Sequence, residues 1–198
     1  DATTAELVKV MENTYRDVNI AFANELAKMA EQLDVNIWEA IKFANYHPRV
    51  NVHFPGPGVG GHCIAVDPWF LVELCGDTAQ IIHLARNTND SMPSYTAQIT
   101  QSILNKAGIA GATVAVLGLA FKGNIDDMRE SPSTIVIDEL QKLGLNVISF
   151  DPHIKENKHA TQTQSLQEAT ANADIILVLT DHNEFKTIDV STIQSKNK

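Results

Sequence analysis

The sequence has little cysteine and no long apolar run. Only Cys63 and Cys75 among its 198 residues carry a thiol, and they do not form a CxxC pair. Two thiols are too few for a disulfide framework, and the missing pair argues against common redox and zinc motifs. Since no signal-peptide pattern or membrane-length stretch occurs either, we expect a reducing, cytoplasmic setting and no membrane partner.

Basic residues are also scarce. The chain has 15 lysines and arginines against 24 acidic residues, which gives a formal net charge of −9. Nucleic acids and anionic membranes are bound by continuous basic surfaces, so the composition argues against both as general partners. Any phosphate ligand would have to be held by a few local cations and backbone amides.

The first half of the chain is predicted to be helical. An apolar stripe without glycine or proline runs through residues 4–33 and predicts one long helix that spans a subunit and packs against a partner. Asn36 and Glu39 resemble a capping box that opens a short helix before Pro48. Three further helices are expected at 68–74, 78–89 and 91–107.

The second half alternates strands and helices. Strands are predicted at 113–119, 146–150 and 174–180. Between them we expect a helix that Ser131 and Pro132 begin and Gly144 terminates, and a second helix at 165–171. This βαβαβ order predicts a parallel, doubly wound sheet. The fold class is therefore α/β, with an all-α domain over residues 1–92 and a Rossmann-like domain over residues 93–198.

A glycine-rich loop at 55–61 precedes Cys63. Asp67 and Pro68 indicate an N-cap and the first position of a helix, so a thiolate at Cys63 would be favoured by the positive end of that helix. The alternatives are a glycine-rich turn with a buried cysteine, or a metal site that adds His53 and His62. Cys75 is expected to be a small apolar core residue.

A second group of polar residues lies on the long helix. Lys9, Asn13 and Arg16 follow spacings of four and three and so share one helix face. Such a face could supply oxyanion donors or proton shuttles to a pocket. The alternative is a solvated polar face without a catalytic role.

The loop after the first predicted strand lies where doubly wound folds bind nucleotides. It contains neither GxGxxG nor a P-loop, because Asn124 stands where a P-loop has lysine. Lys122 and Arg129, together with the helix that starts at Ser131, could hold a pyrophosphate or a nucleoside. Exposed loop charges are the alternative interpretation.

Three segments together resemble the nucleotide-sugar 6-dehydrogenases of the UDP-glucose and GDP-mannose dehydrogenase superfamily. They are residues 5–21, similar to the start of the central helical domain, 55–70, similar to the catalytic cysteine loop, and 118–132, similar to the opening of the UDP-binding domain. The cysteine loop is most similar to that of bacterial UDP-N-acetyl-D-mannosamine dehydrogenases. The resemblance implies a central dimerisation domain followed by a UDP-binding domain.

The resemblance also implies a reaction, an NAD-dependent four-electron oxidation of the sugar C6 hydroxyl to a carboxylate for surface polysaccharide synthesis. Cys63 would be the nucleophile that forms a thiohemiacetal and then a thioester. Lys9 and Asn13 match the groups that stabilise the oxyanion, and Asp67 matches a carboxylate that assists water and proton transfer.

Binding residues are implied in the same way. The loop from Phe54 to Gly60 would wrap the UDP-N-acetylhexosamine substrate, and Arg49 would reach the substrate of a neighbouring subunit, which implies a homodimer. Phe121 and Lys122 would contact the uridine nucleotide, and Arg129 would touch NAD. The loop residues implied in substrate binding are Phe54, Gly56, Gly58 and Gly60.

Two parts of the family pattern are missing from these 198 residues. One is the N-terminal NAD-binding domain, and the other is a last strand expected after Ile193. We therefore expect a fragment of the enzyme, without activity by itself. Two alternatives stay open, namely a UDP-N-acetylglucosamine 6-dehydrogenase, and a non-catalytic module that dimerises and binds UDP.

Overall fold

The computed structural model describes residues 1–156, 158–189 and 193 and divides the chain into two compact units, Asp1–Met92 and Pro93–Lys198. The first unit holds three helices, Ala2–Gln32 (α1), Ile37–Ala44 (α2) and Asp67–Cys75 (α3), a 3-10 turn at Gly76–Thr78, and the first part of Gln80–Lys106 (α4). The predicted all-helical character of this region is confirmed.

Helix α1 forms because nothing in its sequence interrupts it. The Asp1 carboxylate caps its start by accepting the Thr4 N–H at 2.8 Å, and its 31 residues contain neither glycine nor proline. At 1.5 Å per residue it is about 46 Å long. It ends before Asp34, which takes a positive φ of 54°. Next to it, Asn36 caps α2 as predicted, with its side chain accepting the N–H groups of Trp38 and Glu39.

Helix α4 corrects the prediction of two helices at 78–89 and 91–107. It is a single helix with Pro93 inside it. Proline removes one backbone donor and normally kinks or ends a helix. Here the turn before Pro93 is held by tertiary contacts, since Arg86 and Asn89 are both hydrogen-bonded to Asp17 on α1. The packing therefore overrides the local preference.

The two faces of α1 are inverted relative to an ordinary surface helix. Its buried residues are polar or small, and its large apolar side chains are exposed, Tyr15 at 61% and Phe22 at 52%. The exposed apolar face of α1 consists of Leu7, Val8, Met11, Tyr15, Phe22, Met29 and Leu33. None of the described helices combines the length and apolar character needed to cross a membrane.

A buried polar network fixes α1 against α4. The guanidinium of Arg86 donates to the Asp17 carboxylate at 2.5 Å, with both side chains no more than 1% exposed. Asn89 donates to the same carboxylate oxygen at 2.8 Å and to the Asp17 carbonyl at 3.0 Å. Burial raises the pKa of Asp17, against the opposing effects of the Arg86 charge and these hydrogen bonds. Arg86 also contacts Asp90 on its own helix.

The second unit is built on a four-stranded parallel sheet. Its strands are Thr113–Leu117 (β1), Asn146–Phe150 (β2), Thr161–Gln162 (β3) and Ile175–Val178 (β4), in the order β3-β2-β1-β4. Helices Pro132–Lys142 (α5), Leu166–Thr170 (α6) and Asn183–Lys186 (α7) complete it, with the last part of α4. The doubly wound parallel sheet is confirmed. The two-residue β3 and α7 were not predicted, and the strand expected beyond Ile193 lies outside the described residues.

Both faces of the sheet are covered by apolar residues. On β1, Val114 and Val116 belong to one cluster with Val136 and Leu140 of α5, whereas Leu117 belongs to a second cluster. That second cluster contains Ala169 of α6 and Phe185 near the end of the described chain, and all five residues of β1 are buried. A strand covered on both faces accounts for the continuous apolar run at 114–117.

The strand order creates a switch point between β1 and β4. The chain moves from β1 to β2 through α5 and later returns to the other side of β1, so the loops after β1 and β4 leave the same edge of the sheet. They approach closely, because a Cβ at Gly118 would lie 2.5 Å from the Cβ of Thr180. Gly118 also has a φ of 95°, which disfavours other residues.

We expect Arg86→Met to lower the free energy of unfolding by about 3 to 5 kcal/mol, because it leaves the Asp17 charge buried without its partner. The deficit should shrink as the pH falls from about 7 to about 4, because a protonated Asp17 carries no buried charge and the folded state of the variant favours that form. The double variant Asp17→Leu/Arg86→Met should recover most of the loss in chemical denaturation. A single variant as stable as the wild type would contradict the assigned role.

We also expect Gly118→Ala to destabilise the second unit through both its positive φ and the contact with Thr180. The control is Gly144→Ala, where φ is 79° but no atom lies within 4 Å of the added Cβ. Backbone strain alone costs about 1 to 2 kcal/mol, and the clash adds about 1 to 3 kcal/mol at Gly118 only. Thermal unfolding of both variants measures the difference, and equal losses would contradict the close approach.

Candidate functional site

The glycine-rich loop leads directly into a turn that carries Cys63. Residues 51–66 contain no helix or strand, and Gly58 and Gly61 take φ values of 136° and 82°. Cys63 is exposed, and its carbonyl accepts the N–H groups of Val66 at 3.1 Å and Asp67 at 2.8 Å. The Cys63 thiol therefore lies on a hydrogen-bonded turn just before α3, which begins at Asp67, and is accessible to a reagent or substrate.

Asp67 is placed differently from the prediction of an N-cap. It is the first residue of α3, the cap position is Val66, and no side-chain cap hydrogen bond is formed. The Asp67 carboxylate instead accepts the Nδ2–H of Asn13 on α1 at 2.6 Å. The Asp67 carboxylate is thus hydrogen-bonded to a side chain of α1 and not to a backbone N–H of its own helix. This contact links Asp67 to Asn13, another candidate catalytic residue.

The polar face of α1 is divided between inside and outside. Asn13 is buried, with 4% exposure, whereas Lys9 one turn earlier and Arg16 nearly one turn later are exposed. The structure therefore brings Asn13, Asp67 and the turn of Cys63 together. Asn13 donates to the Asp67 carboxylate, and the Asp67 N–H donates to the Cys63 carbonyl. Lys9, four residues before Asn13, lies on the same side of α1 and is exposed.

Asparagines that the sequence interpretation missed hold the glycine-rich loop. Asn24 of α1 accepts the Gly56 N–H at 2.8 Å and donates to Asn89 at 2.9 Å, which links the loop to the buried network of Asp17. Asn45 brackets Val52, accepting its N–H at 2.7 Å and donating to its carbonyl at 3.0 Å. The spacing of Asn13, Asp17 and Asn24 by four and seven residues is the signal that could have revealed this inward polar face.

The predicted substrate-binding residues lie around the same loop. Arg49 is exposed in the segment after α2, and Phe54 is 63% exposed with its ring 5.6 Å from that of Trp38. Gly56, Gly58 and Gly60 are half-buried. Gly58 has a positive φ of 136°, whereas the contribution of Gly56 is a backbone N–H that the Asn24 side chain accepts.

Cys75 is exposed at the end of α3, so its prediction as a core residue is wrong. Within the part of the chain that the structure describes, the one group of three possible metal ligands whose atoms lie within 4.8 Å of one another is His153, His182 and Glu184. The alternative metal site around Cys63 is therefore not assembled among these residues.

The β1–α5 loop, residues 118–130, lies at the switch point of the sheet. Its first N–H groups are already occupied, since the Asp151 carboxylate accepts Leu119 at 2.6 Å and Ala120 at 3.1 Å. Desolvation by burial acts to raise the pKa of Asp151, but these bonds and two more from His153 and Ile154 outweigh it and lower the pKa. Asp151 follows β2 and is 4% exposed.

The hydrogen bonds of the Leu119 and Ala120 N–H groups affect whether a dinucleotide can bind at this turn. In a dinucleotide-binding fold, amides of the first βα turn face the pyrophosphate and an acid after the second strand binds the ribose. Here Asp151 follows the second strand, but it is turned inward onto the amides of Leu119 and Ala120. The second unit therefore does not fit NAD at this position, in agreement with the missing GxGxxG.

The three candidate nucleotide contacts lie further along the same loop. Phe121 is half-buried and donates its N–H to the Asp127 carbonyl at 3.0 Å, and Lys122 is exposed. The Arg129 guanidinium is 68% exposed and makes paired hydrogen bonds with the Asp127 carboxylate, the shortest at 2.6 Å. This hydrogen bond raises the pKa of Arg129.

The start of α5 does not support the predicted anion site. Ser131 caps the helix, as predicted, by accepting the Ser133 N–H at 3.3 Å. Ser131 and Ser133 are no more than 1% exposed, and the Thr134 N–H is bonded to the Ser131 carbonyl. Because these first amides are covered or used, a phosphate would have to be held by the loop rather than by this helix end.

Two sequence models of one family match the chain in succession. Residues 3–91 match the central domain of the UDP-glucose/GDP-mannose dehydrogenase family, and residues 115–198 match the UDP binding domain of the same family. The two matches fall on either side of the division between the structural units.

Named relatives agree with these matches. The chain is 50% identical over 198 residues to a UDP-N-acetyl-D-mannosamine dehydrogenase of Methanococcus vannielii, covering all of this chain and 46% of that protein. It is 46% identical to an NDP-N-acetyl-D-galactosaminuronic acid dehydrogenase of Ralstonia nicotianae, covering 99% of this chain and 47% of that one. The chain thus spans about half the length of the curated relatives it matches.

A solved structure shows the same architecture. The UDP-D-ManNAc dehydrogenase of Pyrococcus horikoshii superposes with a TM-score of 0.92 at 43% identity, covering 99% of this chain and 47% of that one. Sequence motifs, family models and fold agree across both units. The chain therefore belongs to the UDP-glucose/GDP-mannose dehydrogenase family, of which it carries the central domain and the UDP-binding domain.

Proposed function

We propose that the protein containing this chain is a UDP-N-acetyl-D-mannosamine 6-dehydrogenase that serves surface polysaccharide synthesis. It would oxidise the C6 hydroxyl of the sugar to a carboxylate. The observation that carries the proposal is the hydrogen bond between Asn13 and Asp67 beside the exposed Cys63 turn, within a chain 50% identical to a relative of that name. A nucleophile, an amide donor and a carboxylate are the groups that this oxidation needs from the protein.

Cys63 would supply the covalent chemistry. Its thiolate adds to the C6 aldehyde, forming a C–S bond and an oxyanion, and loss of a hydride from this thiohemiacetal leaves a thioester. Water then cleaves the C–S bond, which releases the carboxylate and returns the thiol. The exposure of Cys63 gives a substrate access to the sulfur.

Asn13, Lys9 and Asp67 would act around that sulfur. Asn13 has a second N–H besides the one donated to Asp67, and an amide donor held in a buried position is suited to an oxyanion. Lys9 adds a positive charge one helical turn away on the same side of α1. Asp67, half-buried, would accept a proton from the attacking water.

The hydride acceptor is assigned to NAD by the family resemblance. NAD supplies the capacity to accept the two hydrides that leave the sugar carbon. The first βα turn of the second unit does not fit this cofactor, because Asp151 occupies its amides. Arg129 is the residue proposed to touch NAD, and this chain's own part is otherwise to bind the sugar nucleotide and hold the thiol.

The second unit would bind the uridine nucleotide at the switch point of its sheet. Phe121 offers a ring and Lys122 an exposed cation, and both stand on the loop that leaves the carboxyl end of β1. The chain has few basic residues, so a single well-placed lysine would carry much of the attraction to the diphosphate.

A second copy of the chain would cover the exposed apolar face of α1. That face holds seven large apolar side chains, each at least 46% exposed. Contiguous apolar surface of this kind marks an interface, and closed two-fold dimers are the commonest assembly. In such a homodimer Arg49, exposed on its loop, would reach the substrate of the neighbouring subunit.

A second hypothesis is that these 198 residues by themselves form a module that binds UDP and dimerises without turnover. The occupied amides at Leu119 and Ala120 favour it, because they leave no dinucleotide site at that turn.

The identity of the sugar is a separate question, with UDP-N-acetylglucosamine as the alternative substrate. A product assay of the full-length protein with both epimers decides it, since only the true substrate yields a uronate by mass spectrometry.

We expect the 198-residue chain to bind UDP in calorimetry and Lys122→Ala to weaken that binding about tenfold, as loss of one charge-assisted contact implies. Lys155→Ala, also an exposed lysine of the second unit, is the matched control and should bind as the wild type does. NAD should give no heat with any of the three. Equal UDP affinity of both lysine variants would contradict the assignment of Lys122.

In the full-length protein we expect Cys63→Ser to abolish formation of the uronate, because a serine hydroxyl does not form the thioester. Cys75→Ser is the matched control, since Cys75 is the other exposed thiol and lies outside the proposed machinery. Turnover is followed by mass spectrometry of the product. A serine variant at position 63 that still forms the uronate at the wild-type rate would refute the mechanism.

A further inference from the structure

Buried side chains hold the β1–α5 loop on both sides of Phe121 and Lys122. On the first side, the Ala120 N–H donates to the Asp151 carboxylate at 3.1 Å, and the Ala120 carbonyl accepts the Thr180 hydroxyl at 2.7 Å. Both hydrogen-bonding groups of Ala120 are therefore used. The backbone that enters Phe121 is fixed against the ends of β2 and β4.

On the second side the loop is held at Asn124. Its backbone N–H donates to Nδ1 of His182 at 2.9 Å, and its side-chain oxygen accepts the Asn183 N–H at 2.9 Å. Asn124 has a φ of 63°, a conformation that asparagine tolerates better than most residues but that still needs support. The contact with His182 supplies that support.

The two supports are joined to each other. Nε2 of His182 lies 3.0 Å from the Asp151 carboxylate, and both side chains are fully buried. Because Nδ1 accepts a backbone N–H, it carries no proton of its own. The ring proton of a neutral His182 must therefore be on Nε2, where it is donated to Asp151.

We propose that His182 is a positioning residue for nucleotide binding, which acts by holding Asn124 through an unprotonated Nδ1 while Asp151 fixes the Nε2–H tautomer. The inference rests on the proposed UDP site of the second unit. His182 itself does not touch the nucleotide. Its role is to keep the three residues between Ala120 and Asn124 in one conformation, so that Phe121 and Lys122 are presented together.

The test separates the two nitrogens of His182 by substitution. In His182→Asn the side-chain oxygen can take the place of Nδ1 and accept the Asn124 N–H, whereas in His182→Gln the amide can take the place of Nε2 and reach only Asp151. Both variants lose the same ring packing. His159→Gln is the control, because His159 pairs with Asp138 elsewhere in the unit.

We expect calorimetry to show UDP binding weakened about threefold to tenfold in His182→Gln, the effect of one lost hydrogen bond, and within about twofold of the wild type in His182→Asn and His159→Gln. Melting temperatures show whether each variant is folded at the temperature used.

Equal loss in both His182 variants, or none in either, with a wild type that binds UDP, would overturn the inference alone. A wild type that does not bind UDP would overturn the proposed function as well. Long-range ¹H–¹⁵N correlation on the wild type supplies a measurement that needs no variant. It should show the Nε2–H tautomer near neutral pH, and an Nδ1–H or doubly protonated ring would overturn the inference.

Discussion

The buried contact between Arg86 and Asp17 decides which face of α1 points inward. A buried charged pair depends on the hydrogen bonds that it makes, and Asn89 and Asp90 of α4 supply them on one side of each group. Asp17 Oδ2 and Arg86 Nε have no hydrogen-bond partner among the described residues. Once Asp17 faces α4, helical spacing turns Asn13 and Asn24 inward too. Asn13 then meets Asp67 beside the Cys63 turn, and Asn24 holds Gly56 of the glycine-rich loop. The same rotation turns the apolar stripe outward.

The second unit also depends on a buried carboxylate, that of Asp151. Asp151 accepts four backbone N–H groups and the His182 ring, and so holds irregular backbone at the end of a parallel sheet. In a dinucleotide-binding turn those amides would be kept for a phosphate. Here the loop is shaped by the protein itself, which leaves ligand contact to Phe121 and Lys122 further along. Each unit thus uses a buried carboxylate to fix a loop that carries the proposed function.

Local signals in the sequence were sufficient for much of the fold. Asn36 and Ser131 cap helices as predicted, and β2 has the predicted bounds, because caps and buried apolar runs depend mainly on neighbouring residues. Features that depend on distant partners were missed. Pro93 lies inside a helix because α1 holds the preceding turn, and Asp67 bonds to Asn13 instead of capping α3. The roles of Asp151 and His182 likewise need the strand order to be known.

The polar network of Asp17 turns the apolar face of α1 outward, and we propose that a second copy of the chain covers this face. Sedimentation equilibrium of the 198-residue chain at micromolar concentration measures whether it does. We expect a mass twice that of the 21.7 kDa chain, and a shift toward the single-chain mass when Tyr15 and Phe22 on that face are replaced by glutamate. A folded wild-type chain that sediments at 21.7 kDa would contradict it.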